Sequence, residues 1–226
     1  MIELERVRFR HAGRSDGTPA FELRIDELRI RPGEVAACIG PSGSGKTTML
    51  DVIAGIHHPE SGRVVVAGHE LNLLDHAARR GVRLREVGLV FQTLALVEYL
   101  NALENILLPY FVEPALNRDK SAEARARTLA EQLEIAPLLR RRPRQLSQGE
   151  RQRVAICRAL VTSPRVLLCD EPTGNLDPAR KDRTIDLLLE AGRSSGAAVL
   201  MATHDHSLLP RFDTVIDMAT LRGEPR

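Results

Sequence analysis

The feature that most constrains this chain is a glycine-rich loop between an apolar run and a helical pattern. The apolar run covers residues 35–39, and the helical pattern covers residues 47–54. The loop and the first helical positions read Gly40, Pro41, Ser42, Gly43, Ser44, Gly45, Lys46 and Thr47, which fit G-x-x-x-x-G-K-[ST]. This pattern is informative when a strand enters the loop and a helix leaves it, as it does here. The sequence therefore predicts an α/β fold with an anion-binding loop at a strand end.

The residue types of this loop suit the phosphates of a nucleotide. Glycines let backbone N–H groups turn inward around phosphate oxygens, and the helix N-terminus adds a favourable dipole. Lys46 supplies a point charge for the β- and γ-phosphates, and the Thr47 hydroxyl is suited to Mg²⁺. With Thr48 next in the helix, residues 40–48 form the predicted phosphate-binding set. A glycine-rich turn that binds nothing is the alternative, and the strand-loop-helix context argues against it.

A second apolar run, at residues 166–169, leads into two adjacent carboxylates, Asp170 and Glu171. Ligands of open α/β sheets bind at the carboxyl ends of strands, so both acids are candidates for the same site as Lys46. Successive strand side chains point to opposite sides, which predicts separate roles for the two acids. Asp170 is the expected Mg²⁺ partner. Glu171 is the expected base, or the group that positions water for attack on the γ-phosphate.

The rest of the chain predicts one α/β unit over residues 1–226 with a helical insertion. Alternating patterns at residues 2–9 and 21–30, separated by a turn-rich segment, predict a short antiparallel layer that opens the fold. Further apolar runs predict strands at residues 64–66, 87–91, 166–169 and 198–202, and several such runs followed by helices indicate a mostly parallel sheet. The pattern is helical from residue 101 to 139, most clearly at 122–133. Residues 93–163 form the expected helical subdomain. Its last helix is capped by Ser147 and ends near residue 162, and the next helix begins near Pro178.

Composition argues against nucleic acid as a partner. The formal net charge of the 226-residue chain is only +2, and aromatic residues that could stack on bases make up 3%. The arginines at positions 140, 141, 142 and 144 are expected to be a solvated run.

No apolar run approaches the length of a spanning helix, so contact with a membrane is expected only through a partner. Cys38, Cys157 and Cys169 have no metal-ligand spacing and are expected to be buried thiols in a reducing compartment.

Several further segments resemble the motifs of ABC transporter nucleotide-binding subunits. The resemblance extends from Val7 to His204 and implies a P-loop nucleoside-triphosphatase of the ABC ATPase fold, with ATP and Mg²⁺ as cofactors. The matching segments are Leu146-Ser147-Gln148-Gly149-Glu150 for the L-S-G-G-Q signature, Gln92 for the Q-loop, Gly174-Asn175-Leu176-Asp177 for the D-loop and His204 for the switch histidine. The family arrangement implies that Gln92 and His204 join Lys46 and Glu171 in catalysis, that Gln92 also serves the metal, and that Asp177 lies at the ATP site.

The resemblance also implies a dimer that closes around ATP. In that arrangement Ser147 and Gly149 of one copy contact the γ-phosphate bound to the loop of the other copy. The physical character of the signature agrees, since a serine N-cap followed by a glycine presents a hydroxyl and free N–H groups to an anion. Two positions depart from the family pattern. Gln148 replaces the first signature glycine, and His11 aligns where an aromatic ring usually stacks on adenine, with Phe9 as the alternative.

Within the family, the chain is similar to the lipoprotein-release and macrolide-export subgroup. The similarity lies in residues 102–106, 150–156 and 170–177. It implies a subunit that drives a separate integral membrane protein from the cytoplasmic face of the inner membrane, in export, lipoprotein release or force transmission. A different ABC importer or exporter and a cell-division signalling cassette are the alternatives. A DNA-repair ATPase would need long coiled coils between loop and signature, and a cassette that has lost catalysis would not be expected to keep Lys46, Asp170, Glu171 and His204.

Overall fold

The computed structural model describes residues 1–11, 21–91, 93–172 and 178–221, with the backbone alone at residues 178–180. The strands are Ile2–Arg10 (β1), Glu22–Ile30 (β2), Val35–Ile39 (β3), Ser61–Val66 (β4), His69–Glu70 (β5), Val87–Val90 (β6), Val166–Asp170 (β7), Ala198–Ala202 (β8) and Thr214–Asp217 (β9). The α-helices are Lys46–Ile53 (α1), His76–Glu86 (α2), Ala102–Ile106 (α3), Leu108–Val112 (α4), Lys120–Gln132 (α5), Gln148–Leu160 (α6), Pro178–Ser195 (α7) and Met218–Leu221 (α8). Short 3₁₀ turns cover Leu71–Leu73, Ala136–Leu138, Pro143–Gln145 and His206–Arg211.

The predicted antiparallel layer is confirmed, and β1 lies at its centre. The described strands of this sheet follow the order β2-β1-β4-β5. Leu4 of β1 pairs with Leu28 of β2, and Val7 pairs with Ile25. These four side chains are buried, while the residues between them are mostly half-buried or exposed. The alternation fixes the register, because a slip of one residue would turn the apolar face to solvent.

The predicted parallel sheet is also confirmed, with its described strands in the order β6-β7-β8-β3-β9. Its central strands are buried on both faces, which explains why their sequences are continuous apolar runs. On β3, Val35 and Ala37 pack into the core formed with the helices of residues 102–160 and α7. Ala36 and Cys38 pack into a second core formed with α1 and the antiparallel sheet. The sheet therefore separates two cores and carries its polar groups at its carboxyl edge.

The strand predicted at residues 64–66 exists, but it belongs to the antiparallel sheet and not to the parallel one. Val66 of β4 pairs with Ile2 of β1 and, across a two-residue turn, with His69 of β5. The turn residues Ala67 and Gly68 both have positive φ, at 52° and 88°, as a tight hairpin requires. Burial on both sides produces an apolar run whatever the strand direction. The direction here is set by the hairpin, since β4 has no crossover helix after it.

Among the described strands and α-helices, β5, β9, α2 and α8 were not anticipated from the sequence. The edge strand β9 has four residues, of which two are exposed, so no apolar run marks it. The helix α2 is rich in arginine and buries only Gly81 and Val82. An N-cap residue marks the start of α2: the Asp75 carboxylate accepts a hydrogen bond from the N–H of Ala78.

The helices between β6 and β7 pack around α6. Both α3 and α5 contact α6, and α6 contacts β6. The contact with β6 is close: a Cβ at Gly88 would lie 2.3 Å from the carbonyl oxygen of Ala159. The predicted N-cap of α6 is confirmed. The Ser147 hydroxyl accepts from the N–H of Glu150 at 3.3 Å, and the Glu150 carboxylate accepts from the N–H of Ser147 at 2.7 Å, which completes a capping box.

The three cysteines are free and buried, as predicted. Burial raises the pKa of Cys38 to about 12 and raises the pKa of Cys157 and Cys169 further. All three therefore remain protonated thiols that pack as small apolar groups. Among the described helices, none combines the length and the apolar character needed to cross a membrane.

Candidate nucleotide site

The glycine-rich loop joins β3 to α1 and turns back on itself above the sheet edge. Gly40, Gly43 and Gly45 have φ values of 151°, 77° and 97°, a region that side chains strongly disfavour. A Cβ at Gly45 would also lie 2.6 Å from Cζ of Phe21, so the Phe21 ring would have to shift. The loop conformation therefore depends on glycine at these positions. It brings the first turn of α1, with its free N–H groups, to the sheet edge.

Lys46 is the first residue of α1, and its ammonium group stays within the loop. Its Nζ donates to the carbonyl oxygens of Gly40 at 2.7 Å and Pro41 at 3.1 Å. These contacts hold a positive charge over the concave side of the loop. A phosphate that enters the loop meets this cation together with backbone N–H donors.

Asp170 ends β7 and meets the start of α1. Its Oδ2 accepts a hydrogen bond from the Thr47 hydroxyl at 2.8 Å. Burial raises the pKa of Asp170, and the neighbouring Glu171 charge raises it further, while Thr47 and Lys46 act in the opposite direction. The ionised carboxylate is therefore poorly compensated, and an added cation would favour it.

Glu171 does not continue the strand, so the alternation argument used for the sequence does not apply to it. Its φ is 48°, outside the strand region, and its N–H bonds to the carbonyl of Ala202 at the end of β8. The resulting bend turns its carboxylate into the same cleft as Asp170. There, Oε1 of Glu171 lies 3.0 Å from Nδ1 of His204. A left-handed conformation at a non-glycine residue is strained, which is typical of functional sites.

One cleft of about 540 Å³ collects most of the residues predicted from the sequence. Its lining is His11, Phe21, Gly40, Pro41, Ser42, Gly43, Gly45, Lys46, Thr47, Thr48, Asp170, Glu171 and His204. The loop residue Ser44 is buried and is not part of the lining. Gln92 and Asp177, with the rest of the D-loop segment, lie outside the described residues.

Aromatic rings form the end of the cleft that is nearest β1. His11 and Phe21 both line it, with ring centroids 6.2 Å apart. Phe9, the alternative to His11, is buried behind the lining. The geometry therefore favours His11 over Phe9 at the cleft. Phe21 and His57, which contacts His11, were not anticipated, because each is brought here by contacts across the fold and not by a local motif.

The signature residues are not in this cleft. Ser147 is exposed at the start of α6, Gly149 is half-buried, and no described residue of α6 lines the cleft. At the other end of the same helix, Arg158 donates to the carbonyls of Leu94 and Ala95, both at 2.6 Å. It thereby fixes the turn that follows Gln92, in which Leu94 and Ala95 both have positive φ. Arg158 was not anticipated, since no motif marks it.

Comparison with known proteins agrees with this geometry. The model of the ABC transporter family matches residues 23–174. The lipoprotein-releasing system ATP-binding protein LolD of Cereibacter sphaeroides is 43% identical over 194 residues, 86% of each chain. The ABC transporter ATP-binding protein YbbA of Escherichia coli is 43% identical over 212 residues, covering 92% of this chain and 91% of YbbA. The dimeric ATP-binding cassette MJ0796, solved in a post-hydrolysis state with ADP and Pi, matches with a TM-score of 0.88 and 31% identity over 96% of this chain and 94% of its own. The chain therefore belongs to the ABC transporter family and is one of its ATP-hydrolysing subunits.

Proposed function

We propose that this subunit hydrolyses ATP as a dimer and thereby drives a separate integral membrane protein. The proposal rests on two pairs of contacting side chains that lie in the same cleft. The Thr47 hydroxyl meets Asp170, and Glu171 meets His204, beside the cation of Lys46. Hydrolysis needs a fixed cation for the phosphates, oxygen ligands for a metal and a base for water, and these groups supply all three.

We assign the residue roles from this arrangement and from the family resemblance. Lys46 holds the β- and γ-phosphates. The glycine loop with Ser42 and Thr48 surrounds them, and the buried Ser44 is assigned to this set through its backbone. Glu171 accepts the proton of the attacking water. Nδ1 of His204 faces Glu171, so the opposite ring nitrogen, Nε2, is the atom that can reach the γ-phosphate. On the resemblance alone, we assign Gln92 as a contact to water and metal.

The oxygen donors at Thr47 and Asp170 fit Mg²⁺. A hydroxyl and a carboxylate that already touch are hard ligands of the kind that Mg²⁺ takes alongside phosphate oxygens. Burial disfavours the Asp170 charge without a counter-ion. When bound, the metal would add to Lys46 and the loop N–H groups in neutralising phosphate charge. We assign Thr47, Asp170 and Gln92 to it.

The base of ATP is assigned to the aromatic end of the cleft. His11 provides a flat ring beside the loop at that end. Stacking needs only a π face, so an imidazole can replace the tyrosine that is usual in the family.

The second half of each catalytic site is assigned to another copy of the chain. Ser147 is exposed and Gly149 half-buried at a helix N-terminus outside the cleft, as residues that serve a neighbouring molecule would be. MJ0796, a related cassette, is dimeric. ATP would then be bound by the loop of one copy and by the signature of the other, with Asp177 near the junction.

The membrane partner is assigned to a groove between β6 and the helical segment. We take residues 93–163 as a helical subdomain of the single unit, and the groove of about 260 Å³ lies along its border. Its lining includes Arg83, Val87, Leu89, Leu108, Val112 and Arg158. Burial lowers the pKa of Arg158 to about 10. Neither arginine forms an ion pair with a carboxylate among the residues described. The groove therefore suits an apolar cytoplasmic helix of the membrane protein that carries an acidic residue.

The relatives suggest which system this is. Relatives named as lipoprotein-releasing ATP-binding proteins cover most of the chain. We therefore assign the subunit to the cytoplasmic face of the inner membrane, in lipoprotein release or a closely related export process.

A cross-linking experiment tests the coupling to a membrane protein. A photo-reactive amino acid at Val112, which lines the groove, should cross-link to an integral membrane protein in membranes that contain the assembled system. The same probe at Leu73, which is 78% exposed and outside the groove, is the control. Equal cross-linking from both positions, or none from Val112, would contradict the assignment of the groove.

A further inference from the structure

A cluster of three rings stands at the aromatic end of the cleft. Phe9 and His57 stack with centroids 4.8 Å apart and planes 16° apart. His11 stands at right angles to both, with its centroid 4.7 Å from Phe9 and 5.0 Å from His57. Edge-to-face contacts at such distances are favourable. The ring that lines the cleft is thus supported from behind by a two-ring stack.

His57 is held in this stack by the helix that begins at the phosphate loop. The backbone N–H of His57 donates to the backbone carbonyl of Asp51 at 3.2 Å. The ring nitrogen Nε2 of His57 lies 3.7 Å from Oδ2 of Asp51. Asp51 lies on α1, four residues after Thr47. Burial raises the pKa of Asp51, and the nearby His57 acts in the opposite direction. The position of His57 is therefore tied to the element that binds the phosphates.

His11 has its own backbone support but needs a fixed ring angle. Its backbone N–H donates to the carbonyl of Phe21 at 3.0 Å, which anchors the backbone just after β1. A backbone bond does not fix the side-chain torsions, and a mobile ring would lose entropy when it stacks on a base. The Phe9–His57 stack removes that freedom before the nucleotide arrives.

We infer that His57 is a positioning residue for the base of the nucleotide, because its ring and its link to Asp51 hold His11 at the angle required for stacking. The inference rests on the proposed role of His11. It adds a residue that lies outside the recognised motifs and behind the cleft lining. His57 acts through His11 and not through the phosphates.

The test compares ADP with inorganic pyrophosphate, measured by calorimetry on the full chain with Mg²⁺. Both ligands use the phosphate loop, but only ADP has a base, and neither is hydrolysed. In His57→Ala, ADP should bind about three- to tenfold more weakly, the range expected for one aromatic contact. Pyrophosphate affinity should stay within about twofold. His57→Phe keeps a ring on Phe9 and should bind ADP almost as the unmodified chain does. His58→Ala is the matched control, since the imidazole of His58 bonds to the carbonyl of Pro59 in its own turn.

Four outcomes would overturn the inference, and together they separate it from the proposed function. If His11→Ala weakens ADP binding but His57→Ala does not, the base site stands and the positioning role is wrong. Equal loss of ADP and pyrophosphate in His57→Ala would indicate general damage to the loop instead. If His11→Ala and His57→Ala both leave ADP affinity unchanged, the base lies elsewhere, and both the His11 assignment and the role of His57 fail. Additive losses in the double variant would also contradict a role exerted through His11.

Discussion

The phosphate-loop cleft and the N-terminus of α6 are both built to receive an anion, yet they differ in how complete they are. In the cleft, Lys46, Thr47, Asp170, Glu171 and His204 are already bonded to one another or to the loop. The start of α6 has an exposed serine, and its capping contacts are made within its own first turn. In the first region the described groups already contact one another. The second is proposed to meet a ligand that another molecule brings.

This difference teaches that binding and hydrolysis should be separable by mutation. On the proposed dimer, changes in the cleft should act on a single chain, whereas changes at α6 should act only when two chains meet. Variants of the two regions should therefore fail in different ways, and that contrast can be measured.

The largest effect is expected from Lys46→Ala. Lys46 is the one lysine that lines the cleft among the residues the structure describes, so its loss should stop hydrolysis and lower ATP affinity by on the order of 100-fold. Phosphate release and nucleotide titration measure the two effects. Lys120→Ala, at an exposed lysine that starts α5, is the control and should be silent. Normal turnover in Lys46→Ala would remove the cleft from the mechanism.

The next largest effect should separate the two acids. Glu171→Gln keeps the size of the side chain but cannot take the proton of water, so turnover should fall by on the order of 100-fold or more while ATP and Mg²⁺ still bind. Because only hydrolysis releases the closed state, this variant should accumulate as a dimer with ATP.

Asp170→Asn should instead lose Mg²⁺ affinity and form little of that dimer, since its partner is Thr47 and not His204. Gel filtration of both variants with ATP and Mg²⁺ makes the comparison. A trapped dimer in Asp170→Asn but not in Glu171→Gln would reverse the assignment of the two roles.

A change at α6 tests the other half of the comparison. Ser147→Arg places a bulky side chain at the exposed N-cap and should reduce turnover at least about tenfold by preventing closure, while the single chain still binds ATP. Light scattering with ATP should find a monomer. Ser194→Arg, at an exposed serine of α7, serves as the control. If Ser147→Arg weakened nucleotide binding by the isolated chain, the two regions would not be independent.

The smallest effect is expected at Glu150. Its carboxylate caps Ser147, and the Ser147 N–H lowers its pKa, so it is ionised where a γ-phosphate is proposed to arrive. Glu150→Gln keeps the capping geometry, because glutamine also serves at this position. Removal of the negative charge should tighten the ATP-dependent dimer by about two- to threefold, at nearly unchanged thermal stability. Weaker dimerisation would mean that Glu150 itself makes a favourable contact across the interface.

The sequence predicted the elements whose signals are local. The loop at residues 40–47, the cap at Ser147 and the strand that ends in Asp170 each follow from adjacent residues, and each is found as predicted. What could not be predicted depends on contacts between distant segments. Nothing near His57 shows that it stacks on Phe9, and the bend at Glu171 is held by a bond to Ala202 on another strand. The direction of β4 was missed for the same reason, since a hairpin and not its apolar run decides it.

The burial of the three cysteines has a practical consequence for watching this subunit move. Thiol reagents react with the thiolate, and raised pKa values at Cys38, Cys157 and Cys169 leave almost none of it at neutral pH. Maleimide dyes should therefore label the folded chain very little. One new cysteine on the surface would become the only labelled position without any removal of native residues. A dye on each of two copies could then report opening and closing in real time, and any labelling of the unmodified chain would in turn report unfolding.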